Sequence, residues 1–146
     1  MLLNRTLDGV LPAFRELFAR YNVTEQQWRV LRVLWSAPKV TSAEISARTL
    51  LPAPSLVGII DRLEGKGLVT RVRSVEDRRV VYVIATAEGR QLQEEVMPQV
   101  AKIHERMQQA VSRQEWIAME KTLTTITDAM SSEPESVSKL RKSAAK

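Results

Sequence analysis

The chain has 146 residues, 44% of them hydrophobic and 27% charged, with a net charge of +5, no cysteine and a single histidine, His104. That length and apolar content support a globular fold with a real core, and the missing cysteines exclude disulfides, thiolate metal sites and thiol redox chemistry. One histidine, and five glycines scattered at 9, 58, 65, 67 and 89 without a phosphate-cradling loop, argue against a metal, a cofactor or an enzyme, whereas the positive balance suits a polyanionic partner.

Leu7, Val10, Leu11, Phe14, Leu17, Phe18 and Tyr21 recur at helical spacing and predict an amphipathic N-terminal helix over 1–22, with Asn4 as its cap and Asn22 as its end. Pro12 lies inside that helix and predicts a kink or break near Asp8 to Leu11. Thr24 with Gln27 forms a capping box, the pattern in which each side chain satisfies a free N–H at a helix start. The helix it opens runs to Trp35 or Ser36 and is apolar almost all round, broken only by Arg29 and Arg32. Those two arginines are expected at an internal boundary, paired to carboxylates.

Thr41 with Glu44 is a second capping box, predicting a short helix from Ser42. Pro52 and Pro54 suit a first turn, so another helix is expected to start between them and to stop at Gly65 or Gly67. Its Leu56, Ile59, Ile60 and Leu63 form a core stripe, and Ser55, Gly58, Asp61 and Arg62 lie opposite. The β-branched runs from Leu68 to Arg73 and from Val80 to Ala85, joined through Glu76, Asp77, Arg78 and Arg79, read as a hairpin. Residues 24–86 thus read as a winged helix-turn-helix, with the second helix of the pair for a major groove and the hairpin for the neighbouring backbone or minor groove. Ten Lys and Arg against six Asp and Glu fall in this stretch, which carries nearly all the excess charge. Taken singly, two hairpin arginines are more often solvated charges than ligands; the conjunction of elements is what points to double-stranded DNA.

Thr86 caps a long helix with Leu92, Val96, Val100, Ile103, Met107 and Val111, in which Pro98 predicts a bend. Ser112 with Glu115 opens a last helix whose Trp116, Met119, Leu123, Ile126 and Met130 alternate in steps of three and four, as in a coiled-coil seam. The fold class is therefore mainly α with a small β-hairpin wing: a winged helix-turn-helix flanked by dimerisation helices over 1–22 and 87–131, then a flexible basic tail over 132–146. A homodimer is expected, since twofold DNA sites call for twofold proteins, with a monomeric bundle as the alternative. No apolar run is long enough to span a bilayer and the first twenty residues lack a signal-peptide pattern, so a cytoplasmic protein with no membrane role is expected.

The order of a helix, TEQQWRVLRVL, the helix-turn-helix, EDRRVVYVIATAEGRQL and two long helices resembles the MarR family of bacterial regulators over nearly the whole chain. TEQQWRVLRVL and LLPAPSLVGIIDRLEGKGLV look particularly like the subgroup that represses homoprotocatechuate (4-hydroxyphenylacetate) degradation operons. The resemblance implies a homodimeric repressor on a pseudopalindromic operator, relieved by a small aromatic carboxylic acid. It implies that Asp77 holds Arg79 by an ion pair in the minor groove. The DNA-facing set is then Ser42, Thr49, Pro54, Ser55, Gly58, Arg62, Arg73, Asp77, Arg78 and Arg79. Gly58 and Ile59 depart from the commoner family pattern, which leaves few donors on the groove face.

An aromatic acid wants an arginine beside an aromatic wall. Trp28 and Arg32 are helix neighbours and the first choice, with Arg15, Arg20 and His104 as further contributors; for Trp28 a plain core role is the competing reading. Because polar side chains are scarce on the recognition helix, a winged-helix protein-interaction module without specific DNA binding stands as the alternative function.

Overall fold

The computed structural model describes residues 1–131. Those residues form six helices and three strands in the order α1 (Leu2–Arg20), α2 (Glu25–Trp35), β1 (Val40–Thr41), α3 (Ser42–Thr49), α4 (Ala53–Gly65), β2 (Val69–Arg73), β3 (Val81–Ala85), α5 (Ala87–Gln108) and α6 (Arg113–Ser131). They divide into two compact units, Met1–Ile103 and the described residues from His104 onward. The expected basic tail lies outside the described residues.

The polar punctuation of the sequence sets the helix boundaries. Thr24 and Gln27 exchange both hydrogen bonds of their capping box, the Gln27 N–H donating to Thr24 Oγ1 at 3.2 Å and the Thr24 N–H to Gln27 Oε1 at 3.1 Å. Thr41 and Glu44 do the same for α3, and Ser112 and Glu115 for α6. Two helix ends are closed alike. After α1, the Asn22 N–H donates to Ala19 O and the Val23 N–H to Phe18 O; after α4, Gly67 donates to Glu64 O and Leu68 to Leu63 O. Both closures need a left-handed residue, supplied by Asn22 at φ 52° and Gly67 at φ 72°.

Neither Pro12 nor Pro98 breaks its helix: α1 and α5 run straight through them in sequence. In both cases the proline and the residue four earlier, Asp8 or Glu94, are exposed, so water can satisfy the carbonyl that loses its partner. Asn4 lies inside α1, whose cap position is Met1, so the expected Asn4 cap is replaced by an uncapped start.

The core of the first unit gathers the buried stripe of α2, the inner faces of α3 and α4, and Leu17 and Phe18 of α1. Leu56, Ile59, Ile60 and Leu63 are all buried, as their spacing requires. Burying four such side chains contributes up to about 6–12 kcal/mol, far more than the ~1 kcal/mol that a glycine at position 58 costs the helix. A ring cluster extends this core: Phe14 to Phe18 at 6.0 Å, Phe18 stacked on Trp28 at 4.5 Å, and Trp28 edge-on to Trp35 at 5.2 Å. Oε1 of the deeply buried Gln27 accepts from the Thr24 N–H and from Lys66 Nζ at 3.0 Å.

The sheet has three strands, in the order β1-β3-β2, and not the two of a lone hairpin. β1 is too short to announce itself in sequence; Val40 and Thr41 pair antiparallel with Val83 and Tyr82. β2 and β3 pair from Val69↔Ala85 to Arg73↔Val81. Gly89, near the start of α5, sits where a Cβ would lie 2.1 Å from Leu68 O, so only glycine lets α5 approach the end of α4 this closely. Thr86 Oγ1 accepts the Gly89 N–H at 3.0 Å and donates to Gly67 O at 2.6 Å, and Trp35 Nε1 donates to Gly89 O at 2.9 Å. In the second unit α6 leaves Ile117, Met119, Leu123, Ile126 and Met130 exposed.

Candidate DNA interface and effector cavity

The turn between α3 and α4 is held by hydroxyls. Thr49 Oγ1 donates to Ile45 O at 2.6 Å and accepts the Leu51 N–H at 3.4 Å, while Ser46 Oγ donates to Leu51 O at 2.6 Å. Thr49 is therefore only 6% exposed and braces the turn from within, which corrects its expected place on the DNA face. Leu50 between them is left-handed at φ 57° and 70% exposed. A non-glycine residue in that region carries backbone strain, and the braces on either side hold it there.

Beyond the turn, α4 presents Pro54, Ser55, Val57, Asp61 and Arg62 to solvent. A Cβ at Gly58 would sit 3.4 Å from Arg62 Nη1, so Arg62 folds back across this position along its own helix. Ser42 is exposed at the start of α3 and Arg73 at the end of β2. The exposed Ser55, Asp61 and Arg62 lie opposite the buried stripe of α4, as their spacing predicts.

The wing tip is a compact turn. The Ser74 N–H donates to Val80 O, the Val80 N–H to Asp77 O, and Ser74 Oγ accepts the N–H groups of Glu76 and Asp77. Asp77 Oδ1 accepts the backbone N–H of Arg79 at 2.9 Å. No ion pair joins the two side chains, so the expected Asp77–Arg79 salt bridge is replaced by a side-chain-to-backbone turn. Among the described residues the guanidinium groups of Arg62, Arg73, Arg78 and Arg79 have no carboxylate partner.

Arg71, by contrast, is fully engaged. β2 is an edge strand, and the Arg71 N–H on its open side donates to Glu64 Oε1 at 3.0 Å. The guanidinium takes Asp61 Oδ1 at 2.6 Å and the second oxygen of Glu64. Asp61 chiefly holds the guanidinium above its ordinary value, with Glu64 adding to it against the opposing effect of burial. The clamp fixes the wing to the recognition helix and sets a guanidinium against two carboxylates of α4. Strand parity puts Arg71 and Arg73 on one side of β2, but in sequence alone Asp61 and Glu64 show no more than a polar helix face.

The candidate effector residues are dispersed. Trp28 is 7% exposed and belongs to the ring cluster of the core. Arg15 approaches Glu25 at 3.7 Å and Arg20 pairs with Glu16 at 2.6 Å. His104 is exposed and begins the second unit. Arg29 and Arg32 do not occupy an internal boundary as expected: both are exposed. Arg32 opens into a cavity of about 410 Å³ together with Arg29, Val33, Ser36, Arg48, Thr49 and Leu50. Arg29 and Arg48 are absent from the site residues expected from sequence, although Arg29, Arg32 and Ser36 share one helical face at steps of three and four.

A recognition helix with an exposed face, a preceding helix joined by a braced turn and a hairpin tipped by unpaired arginines define a winged helix-turn-helix protein. The family model described as "MarR family" matches residues 21–80. The chain is 33% identical over 101 residues to the homoprotocatechuate degradative operon repressor of Escherichia coli, covering 69% of this chain and 68% of that one. It is 30% identical to the HTH-type transcriptional regulator FarR of Neisseria gonorrhoeae over 86% of this chain and 88% of the relative. It superposes on the crystal structure of NadR in complex with 4-hydroxyphenylacetate with a TM-score of 0.74 and 29% identity, over 85% of this chain and 88% of that one. The chain belongs to the MarR family of transcriptional regulators. Among the described residues no helix is long and apolar enough to cross a membrane.

Proposed function

We propose that this regulator is a homodimeric repressor that grips a pseudopalindromic operator and releases it when a small aromatic carboxylic acid binds. The observation that carries the DNA reading is the sorting of charge at the interface. Arg62, Arg73, Arg78 and Arg79 are unpaired and outward, whereas Asp61, Glu64 and Asp77 commit oxygens to internal partners. In this reading α4 enters a major groove through Ser55, Gly58 and Pro54, Ser42 and Arg62 take phosphates, and Arg78 and Arg79 reach the adjacent minor groove. A second copy would cover the exposed Leu2, Leu3 and Leu7 of α1 and the exposed stripe of α6.

The aromatic-acid reading draws on the repressor relative of the homoprotocatechuate operon and on the NadR complex with 4-hydroxyphenylacetate. Arg15 and Arg20, on the exposed surface of α1, are the proposed partners for the carboxylate of an aromatic acid. A coupling of about 1–3 kcal/mol between effector and operator would change DNA affinity roughly 5- to 150-fold. The test is binding to the DNA upstream of the gene at several salt concentrations, with and without 4-hydroxyphenylacetate and homoprotocatechuate. With Arg79 neutralising one phosphate, Arg79→Ala should lower the slope of log affinity on log salt by about 0.9 per wing. An unchanged slope removes the wing from the interface. Absence of specific binding at any salt favours a protein-interaction module instead, for which the exposed Val57 and Leu50 would be the contact points.

A further inference from the structure

We propose that the cavity between α2 and the α3–α4 turn is a binding site for a small oxyanion carrying two or more negative charges, such as a phosphate-bearing or polycarboxylate metabolite. This rests on the reading of a ligand-responsive regulator and states the chemistry of the ligand. Three guanidinium groups, those of Arg29, Arg32 and Arg48, line one concavity of about 410 Å³, and none of its lining side chains is acidic. Like charges gathered in a recess repel one another, and its walls screen them less than open water does.

The partners nearby do not cancel them. Arg29 pairs with Glu25 at 3.0 Å, but that carboxylate is shared with Arg15 at 3.7 Å. Arg48 donates to the neutral Ser36 hydroxyl at 2.7 Å; Glu44, one turn back, is committed to Thr41, and Arg48 is the smallest of the influences that hold the Glu44 pKa down. Arg32 has no ion-pair or hydrogen-bond partner among the described residues. An anion in the cavity would therefore meet two to three guanidinium forks, the geometry that suits phosphate and carboxylate oxygens.

The lining also excludes the simplest aromatic ligand from this recess. Its apolar members are Val33 and Leu50, and no ring lines it, since Trp28 is committed to the stack on Phe18. Charge, not ring stacking, is what the cavity offers. Its floor includes Thr49 and Leu50, the brace and the strained residue of the helix-turn-helix turn, so an occupant touches the element that aims α4.

The test is calorimetric titration of the full chain, without DNA, with pyrophosphate and citrate against benzoate at matched ionic strength. The expected result is at least about tenfold tighter binding of the multivalent anions, weakened at least about threefold by Arg32→Gln and separately by Arg48→Gln. Arg79→Ala should leave that binding unchanged. Equal affinity for benzoate and pyrophosphate overturns the proposal, as does retention of binding in both cavity variants. Loss of binding in Arg79→Ala also overturns it, because the anion would then be standing in for a DNA phosphate on the wing. Release of operator DNA is measured separately: an aromatic acid that releases it while no multivalent anion binds would refute this site and leave the repressor reading intact.

Discussion

Asp77→Asn and Asp77→Ala separate two ways of organising the wing. If Asp77 acted by an ion pair to the Arg79 guanidinium, both changes would remove the partner and weaken operator binding alike. In the structure Asp77 Oδ1 instead accepts the Arg79 backbone N–H at 2.9 Å, and an asparagine oxygen can do the same. A hydrogen bond of this kind contributes about 0.5–1.5 kcal/mol, and somewhat more when the acceptor is charged. Alanine removes it and frees the tip, so operator affinity should fall roughly 5- to 30-fold for each wing, corresponding to about 1–2 kcal/mol. Asparagine keeps the turn and takes a negative charge away from the phosphates, so affinity should stay within about threefold of the parent. The assay is fluorescence anisotropy of a labelled operator at three or more salt concentrations. The salt slope should be the same in both variants because Arg78 and Arg79 keep their charges. Equal damage from Asn and Ala would refute the backbone mechanism and restore the ion pair.

Arg71→Gln should loosen the wing from α4 and leave the Asp61 and Glu64 carboxylates without their neutralising guanidinium near DNA; adding Asp61→Asn and Glu64→Gln should recover part of the operator affinity, and no recovery would show that the clamp acts mechanically and not through charge. At 32% side-chain exposure the Arg71 guanidinium is partly screened, so loss of the clamp should cost the fold only about 1 kcal/mol, read from denaturant unfolding. Gly89→Ala must move α5 away from Leu68 O, disturbing the Thr86 and Trp35 hydrogen bonds, and should lower the melting temperature more than Gly9→Ala, where nothing lies within 4 Å of the added methyl. Glu44 and Glu115 are each held below the usual carboxyl range, first by the hydroxyl of Thr41 or Ser112 and then by its backbone N–H. A depressed folded value contributes stability that is present above the ordinary carboxyl range and lost as pH falls through the folded one. The double variant Glu44→Gln, Glu115→Gln should therefore flatten the acid limb of a melting-temperature profile, and an unchanged limb would remove the caps from acid unfolding.

The helices and their ends are legible in the sequence because they depend on neighbours three or four residues apart. Thr24 with Gln27, Thr41 with Glu44 and Ser112 with Glu115 are self-contained hydrogen-bonding units, and Gly67 and Asn22 supply left-handed backbone whatever surrounds them. The stripe of α4 likewise needs only its own period to declare which face is buried. Packing between distant residues settles the rest. β1 exists only because β3 lies beside Val40 and Thr41, and Pro12 and Pro98 are tolerated only because their helices expose the freed carbonyls. Trp28 and Arg32, adjacent on one helix, part company because α1 covers one and not the other. Thr49 turns inward to brace a strained turn, Arg71 crosses to α4, and Arg48 comes from α3 to meet Arg29 and Arg32. Local hydrogen-bonding chemistry fixes where an element starts and stops, whereas the company a side chain keeps is set by packing, which no spacing within one helix encodes.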